Sequence, residues 1–238
     1  MSKNITRREL LGAAGVAAAG AVVPGAMGTQ TSQAKPSKIK VLGVSCSPRP
    51  GKTTAQSVQV VLDSVEQAAP IVETELLDLG GMKIGGWAGG SKPGTETIPK
   101  DDFTKLLPKL KDPAVMGLVI GSPVYFRSMS SLCKAFLEQC AALRKPKLLL
   151  ADKPVGVLAV GAFRNGGQEL TIEQIQTAML CHEAFIVGGK PRAHQGATLW
   201  NAGGGDVMND DFGKETAKLL GIRIAEAVMK LAGYENID

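Results

Sequence analysis

The sequence is poor in aromatic residues and in the residues that most often bind metals. Its 238 residues include only six Phe, two Trp, two Tyr, two His and four Cys. The cysteines show neither C-x-x-C pairs nor zinc-ligand spacing; they are Cys46, Cys133, Cys140 and Cys181. The residues therefore give no support for a metal site.

Strong net charge is also absent. There are 27 Lys and Arg against 22 Asp and Glu, a formal net charge of +5. This balance gives no case for nucleic-acid binding, and we expect no nucleic-acid partner. A hydrophobic content of 44% is enough for a core and excludes a disordered chain. The 29 glycines indicate many tight strand-to-helix turns.

The N-terminus predicts an export signal. A basic start is followed by a weakly apolar run, Leu10–Val23, whose 14 residues are too few for a membrane-spanning helix. Thr6–Leu11 resembles the twin-arginine signature, whose pathway exports folded proteins. A buried N-terminal helix is the alternative, but its glycines argue against it. We expect residues 1–34 to be a twin-arginine-type signal peptide with the start of a linker, and residues 35–238 to form one domain. The predicted location is periplasmic or otherwise extracytoplasmic.

From Ile39 onward, β-rich runs alternate with amphipathic helical stretches. This alternation predicts an α/β fold, a doubly wound sheet of five parallel strands with helices on both faces. The predicted strands are Ile39–Val44, Val72–Leu77, Val115–Ile120, Val155–Val160 and Phe185–Val187. In such a sheet, ligands bind beyond the carboxyl ends of the strands.

The loop after the first predicted strand has the composition of a phosphate cradle. It brings hydroxyls and backbone N–H groups to the N-terminus of the next helix. The candidate contacts are Ser45, Ser47, Arg49, Gly51, Lys52, Thr53 and Thr54. A nucleoside-triphosphate P-loop is the rival interpretation, but Cys46 stands where that motif needs glycine, and Pro48 and Pro50 stiffen the loop. A simple turn with a surface lysine is the third alternative.

Two later loops can meet a flat ligand. After the third strand come Pro123, Val124, Tyr125 and Phe126, an aromatic turn, with Ser128 as the expected N-cap of a helix running to about Ala142. After the fourth strand come Gly161, Arg164, Gly166 and Gly167, which combine backbone freedom with a guanidinium group. Gln168 and Glu169 are either ligand contacts or N-terminal helix residues. His194–Trp200 is expected to be a further loop.

The segments SPRPGKTT, GSPVYF and GAFRNGGQE together resemble the flavodoxin-like NAD(P)H-dependent FMN reductase and multimeric flavodoxin family. The resemblance implies bound FMN, with its phosphate in the first loop and the Pro123–Phe126 turn against the isoalloxazine ring. It also implies flavin contacts from Arg164, Gly166 and Gly167, and NAD(P)H as a donor. By analogy with these relatives we expect a homo-dimer or homo-tetramer.

One branch of this family carries an iron–sulfur cluster on cysteines after the second strand. The corresponding segment here, Leu77–Phe103, contains no cysteine, so we expect no cluster in this segment. Its Gly-rich stretch with Trp87 is expected to be a mobile flap over the flavin. Cys46 is a candidate redox thiol, because a nearby helix N-terminus lowers thiol pKa.

These observations predict an exported FMN-dependent oxidoreductase that passes electrons or hydride to a quinone-like or other small acceptor. The chemistry belongs to the flavin, so no side chain is expected to act as acid, base or nucleophile. Nicotinamide cofactors are not expected outside the cytoplasm, which favours a membrane or periplasmic redox partner as donor. The alternative is a non-enzymatic electron carrier or an interaction module for a membrane redox complex.

Overall fold

The computed structural model describes residues 36, 38–87, 101–201 and 206–234. These residues all belong to one unit of the chain, Lys35–Asp238. The signal peptide predicted for residues 1–34 lies outside the described residues.

Strands and helices alternate along the described chain. The strands are β1 (Ile39–Ser45), β2 (Val72–Asp78), β3 (Val115–Tyr125), β4 (Ser128–Met129), β5 (Pro154–Gly161), β6 (Phe185–Ile186) and β7 (Ala197–Trp200). The helices are α1 (Thr53–Ala68), α2 (Leu107–Leu110), α3 (Ser131–Gln139), α4 (Gln168–Leu180) and α5 (Asp211–Leu231), with 3-10 turns at Asp102–Lys105, Cys140–Leu143 and Val207–Asn209.

The main sheet is parallel, in the order β2-β1-β3-β5-β6, and confirms the predicted fold class. Beyond β5, two separate segments share one sheet position: β6 pairs with the start of β5, and β7 pairs in parallel with Leu158–Gly161. The loop predicted at His194–Trp200 was therefore wrong for its last four residues. Ala197 and Leu199 are buried there, while Thr198 and Trp200 are partly exposed, which is the period of a strand.

Each face of the sheet carries its own apolar cluster, because successive strand residues point to opposite faces. Leu42 belongs to the cluster that includes residues of α3 and α4. Val41 belongs to the cluster formed with α1 and α5. On this second face α1 approaches β1 closely: a Cβ on Gly43 would lie 2.5 Å from a methyl group of Val58. The two-sided covering leaves the carboxyl ends of the strands as the open edge.

Within the described ranges, none of the helices combines the length and apolar character needed to cross a membrane.

Candidate functional site

At the carboxyl edge of the sheet, the region around the end of β3 and the start of α3 contacts both the loop after β1 and the loop after β5. The N–H of Cys46, in the loop after β1, donates to the Gly121 carbonyl of β3 at 2.8 Å. The Ser130 hydroxyl, just before α3, donates to the Cys46 carbonyl at 2.7 Å. In the loop after β5, a Cβ on Gly167 would lie 3.2 Å from the Cα of Arg127. The sequence-predicted loops are thus neighbours in the fold.

The first loop has the donors that a phosphate group requires. Helix α1 begins at Thr53, and within the described chain its first turn has neither a side-chain cap nor an acidic residue. The N–H groups of a first helical turn have no partner within the helix. Among the described residues, the buried hydroxyls of Ser45 and Thr54 also have no hydrogen-bond partner. Buried unpartnered hydroxyls are costly, and acceptor oxygens of a phosphate would satisfy them.

The other residues of this loop that were predicted to contact phosphate differ in exposure: two are buried and three are exposed. Ser47 and Thr53 are buried beside the unpartnered hydroxyls, whereas Arg49, Gly51 and Lys52 are exposed. The Ser47 hydroxyl accepts the Arg49 N–H at 3.2 Å, so it helps to shape the turn.

A second layer of residues at the end of β2 supports this loop, and it was not among the predicted site residues. Asp78 accepts hydrogen bonds from the N–H groups of Gly51 at 2.6 Å and Gly80 at 3.1 Å. A Cβ on Gly80 would lie 2.3 Å from the Cα of Pro50, so only glycine allows this approach. The N–H of Gly51 is thus held by Asp78 rather than left for a phosphate. An acidic residue followed by glycines at the end of the neighbouring strand was the available signal.

Cys46 does not have the lowered pKa that was expected. Its side chain is completely buried, and desolvation together with a hydrogen bond to the Cys133 thiol raises its pKa well above the ordinary thiol value. Burial outweighs the nearby helix N-terminus, so the prediction of a redox thiolate was wrong in its physical premise. All four cysteines are free, and Cys181 is the exposed one.

The aromatic turn lies on a hairpin rather than directly after a short strand. Strand β3 continues through Pro123, Val124 and Tyr125, and Val124 pairs with Met129 of β4. Phe126 and Arg127 form the two-residue connection with φ of 50° and 62°, the left-handed geometry of a tight hairpin. The placement of Pro123, Val124 and Tyr125 in a turn after the strand was therefore wrong, and of these four predicted residues only Phe126 lies in the turn. The Tyr125 ring is 40% exposed and that of Phe126 fully exposed, so both are accessible.

The N-cap of the following helix is Ser130 instead of Ser128. The Ser130 hydroxyl accepts the Cys133 N–H at 3.0 Å. The Ser128 hydroxyl instead donates to Gln174 on α4 at 2.7 Å. Helix α3 ends at Gln139 and continues as a 3-10 turn to Leu143, close to the predicted end.

Gln168 organises the loop after β5. Its side chain accepts the Gly166 N–H at 2.8 Å and donates to the carbonyls of Phe163 at 2.6 Å and Leu199 at 3.1 Å. Gly161 lies against it, and Gly167 has a φ of 102°, which favours glycine. Gln168 is the first residue of α4 and Glu169 lies in its first turn, so both are N-terminal helix residues.

Arg164 is anchored at one side and unpartnered at the other. Its Nη2 pairs with Asp210, and its guanidinium lies 5.6 Å from the Trp200 ring centroid and 5.5 Å from that of Phe212. Its Nη1 is buried without a partner among the described residues. Arg164, Arg127, Gly167 and Phe212 border a cleft of about 570 Å³. Backbone and guanidinium donors next to a cleft fit the polar edge of a flavin ring.

Part of the predicted flap lies outside the described residues, which end at Trp87 and resume at Asp101. The N–H of Trp87 donates to the Glu138 carboxylate of α3 at 2.6 Å. In the part of the chain that the structure covers, no group of three or more His, Cys, Asp or Glu could hold a metal ion. The absence of a cluster from this segment stays a prediction from the sequence.

Comparisons with known proteins identify the family of this chain. Residues 39–198 match the family model described as NADPH-dependent FMN reductase. The chain is 38% identical over 193 residues to an iron–sulfur flavoprotein of Methanocaldococcus jannaschii, covering 80% of this chain and 97% of that protein. It is 30% identical over 154 residues to an NAD(P)H dehydrogenase (quinone) of Chromohalobacter salexigens, covering 56% of this chain and 74% of that protein.

Solved structures agree on the fold. A flavodoxin from the domain Archaea superposes with a TM-score of 0.53 at 16% identity, covering 80% of this chain and 99% of that chain. The fold is therefore flavodoxin-like. The match over residues 39–198, together with the 38% identity to the Methanocaldococcus jannaschii protein, shows that the chain belongs to the NADPH-dependent FMN reductase family and is an FMN-dependent oxidoreductase.

Proposed function

We propose that this protein is exported and uses FMN, held across the three loops, to pass electrons or hydride to a quinone-like or other small acceptor. The observation that carries the proposal is a pair of buried hydroxyls without a partner in the described chain: Ser45 at the end of β1 and Thr54 in the uncapped first turn of α1. A phosphate-bearing ligand would supply the missing acceptors.

The residues of this chain bind and orient the cofactor. The first loop would hold the phosphate, and Tyr125 and Phe126 would lie against the ring. The loop of Gly161, Gly166 and Gly167 would bring backbone close to the ring edge, and Arg164 would add positive charge there. FMN, when bound, supplies the capacity to accept and release hydride or single electrons.

A flat, weakly polar acceptor is supported by the exposed rings beside the site. Phe126 is fully exposed and Phe163 is 73% exposed, so both can pack against a planar molecule. The quinone activity in the name of the Chromohalobacter salexigens relative points in the same direction. We extend that acceptor class to this chain.

The proposed export bears on which molecule donates electrons to the FMN. The twin-arginine-like N-terminus, with Arg7 and Arg8, would deliver a folded flavoprotein to the periplasm. NAD(P)H fits the family, whereas a membrane or periplasmic redox partner fits the compartment. We propose the redox partner as the physiological donor and a homo-dimer or homo-tetramer as the assembly.

The first test is the visible absorbance of the purified protein, followed by chromatographic identification of the flavin released on denaturation. We expect FMN in a one-to-one ratio with the chain. Colourless protein that also fails to bind added FMN would contradict the proposal.

Turnover and location are tested separately. FMN-loaded protein is assayed with a soluble quinone, using NADH, NADPH or a chemically reduced dye as donor. Quinone reduction through repeated turnovers supports an enzyme, whereas reduction limited to one flavin equivalent indicates a carrier. Replacing Arg7 and Arg8 together by Lys should retain the protein in the cytoplasm, and an unchanged periplasmic fraction would refute the twin-arginine route.

A further inference from the structure

Asp210 joins three parts of the site at one buried carboxylate. It is only 2% exposed and lies immediately before α5. It accepts hydrogen bonds from the N–H groups of Gly213 at 2.9 Å and Trp200 at 2.9 Å. It also pairs with Nη2 of Arg164, in the loop after β5.

The residues around Asp210 leave room for its carboxylate to contact the backbone of α5 and the Arg164 guanidinium. A Cβ on Gly213 would lie 2.0 Å from the Asp210 carboxylate, so a side chain there would displace it. The rings of Trp200 and Phe212 both lie within 6 Å of the Arg164 guanidinium. The carboxylate and the two rings together limit how the guanidinium can turn.

Among the other N–H donors of Arg164, those on Nη1 are buried and have no partner in the described chain. An unpartnered buried donor on a charged group is costly, and a ligand acceptor would remove that cost. Because Asp210 holds Nη2, the Nη1 end of the guanidinium is the end that can meet a ligand.

We propose that Asp210 is a positioning residue: it holds Arg164 so that the Nη1 donors remain available to an acceptor atom of bound FMN. This inference rests on the proposed function, because it takes FMN as the ligand at the loop after β5. A role as N-cap of α5 alone is the competing explanation, and it predicts a loss of stability without any dependence on Arg164.

The two explanations are separated by a double-mutant cycle on FMN affinity. The variants are Asp210→Ser, Arg164→Gln and the two combined. Serine is a good N-cap that is too short to keep the Arg164 pair. Asp206→Ser is the matched control, because Asp206 caps the neighbouring 3-10 turn through Met208 and is exposed. Asp210→Asn, which keeps the side-chain shape, serves as a second variant if Asp210→Ser does not fold.

FMN affinity is measured by diluting the FMN-loaded protein and following the fluorescence of released FMN. We expect each single variant to weaken FMN binding about tenfold, because each loses one charge-assisted hydrogen bond to FMN. The combined variant should be no weaker than either single variant, because both substitutions remove the same interaction. The control should bind FMN normally.

Losses that multiply to about a hundredfold in the combined variant would overturn the inference, and so would normal FMN affinity in Asp210→Ser. Normal affinity in Arg164→Gln would also overturn it, since Asp210 would then have nothing to position. After any of these results, FMN bound in a one-to-one ratio to the wild-type protein would still support the proposed function. Wild-type protein that binds no FMN would remove both.

Discussion

We expect the hydroxyl of Thr54 to affect stability and FMN binding in opposite directions. It is buried at the second position of α1 and has no partner in the described chain, so it costs free energy when no ligand is present. Thr54→Val keeps the shape and removes the hydroxyl. We expect apoprotein at least as stable as the wild type, and FMN binding weakened about tenfold through loss of a hydrogen bond to phosphate.

Urea unfolding of the apoprotein and fluorescence titration with FMN measure the two effects. Ser57→Ala is the matched control, because the Ser57 hydroxyl is equally buried on α1 but donates to the Thr53 carbonyl at 2.7 Å. The control should leave FMN affinity unchanged. Unaltered FMN affinity in Thr54→Val would remove this hydroxyl from the phosphate site.

The thiols differ in their access to reagents. Cys46, Cys133 and Cys140 are buried, and burial raises the pKa of both Cys46 and Cys140, which keeps these thiols protonated. Cys181 is exposed. Iodoacetamide at neutral pH should therefore label the native protein once, at Cys181, as counted by mass spectrometry. Rapid labelling of native Cys46 would show that its loop opens and would restore it as a redox candidate.

At the scale of elements, Ser130 links the start of α3 to the first loop. Its hydroxyl accepts from the Cys133 N–H and donates to the Cys46 carbonyl. Ser130→Ala removes both bonds in a buried place, and we expect it to lower the free energy of unfolding by about 1–3 kcal/mol and to weaken FMN binding. Ser128→Ala, which removes only the partly buried bond to Gln174, should cost less. Equal losses in urea unfolding would contradict the assignment of Ser130 as the cap.

The sequence predicts strands and helices best where their apolar pattern extends over several residues and is bounded by turn residues. The strands before and after α1 were predicted within about one residue, because proline or glycine residues lie close to both ends of each run. Strand β7 was missed because its four residues follow glycine and owe their conformation to pairing with β5. Ser128 and Ser130 are equivalent by composition, and only the hairpin at Phe126 and Arg127 decides between them.

In the candidate site, too, some residues could be predicted from the sequence and others could not. Its loops could be predicted, because glycines, hydroxyls and an arginine after strands are visible in the sequence. The side chains that support these loops were not predicted. Asp78 had a weak signal in the glycines that follow it, whereas Asp210 reaches the Arg164 loop from 46 residues away and has no local pattern that indicates the contact.

For the whole molecule, we expect His182 to make stability depend on pH. Its ring is 6% exposed, and burial together with the nearby Arg144 charge lowers its pKa below the usual 6.5. The unfolded chain therefore binds this proton at a higher pH than the folded protein does. Stability from this group is fully present above about pH 6.5 and is lost as pH falls toward the lower pKa of the folded state.

We expect the free energy of unfolding of the apoprotein to decrease between about pH 6.5 and pH 5, before the carboxylates with lowered pKa, such as Glu75 and Glu138, begin to contribute. Replacing His182 by Gln should flatten this part of the curve in urea unfolding at a series of pH values. His194→Gln, at an exposed position, is the control and should leave the slope in place. An unchanged slope in His182→Gln would mean that another group controls acid sensitivity, because a buried histidine that resists protonation must contribute in this range.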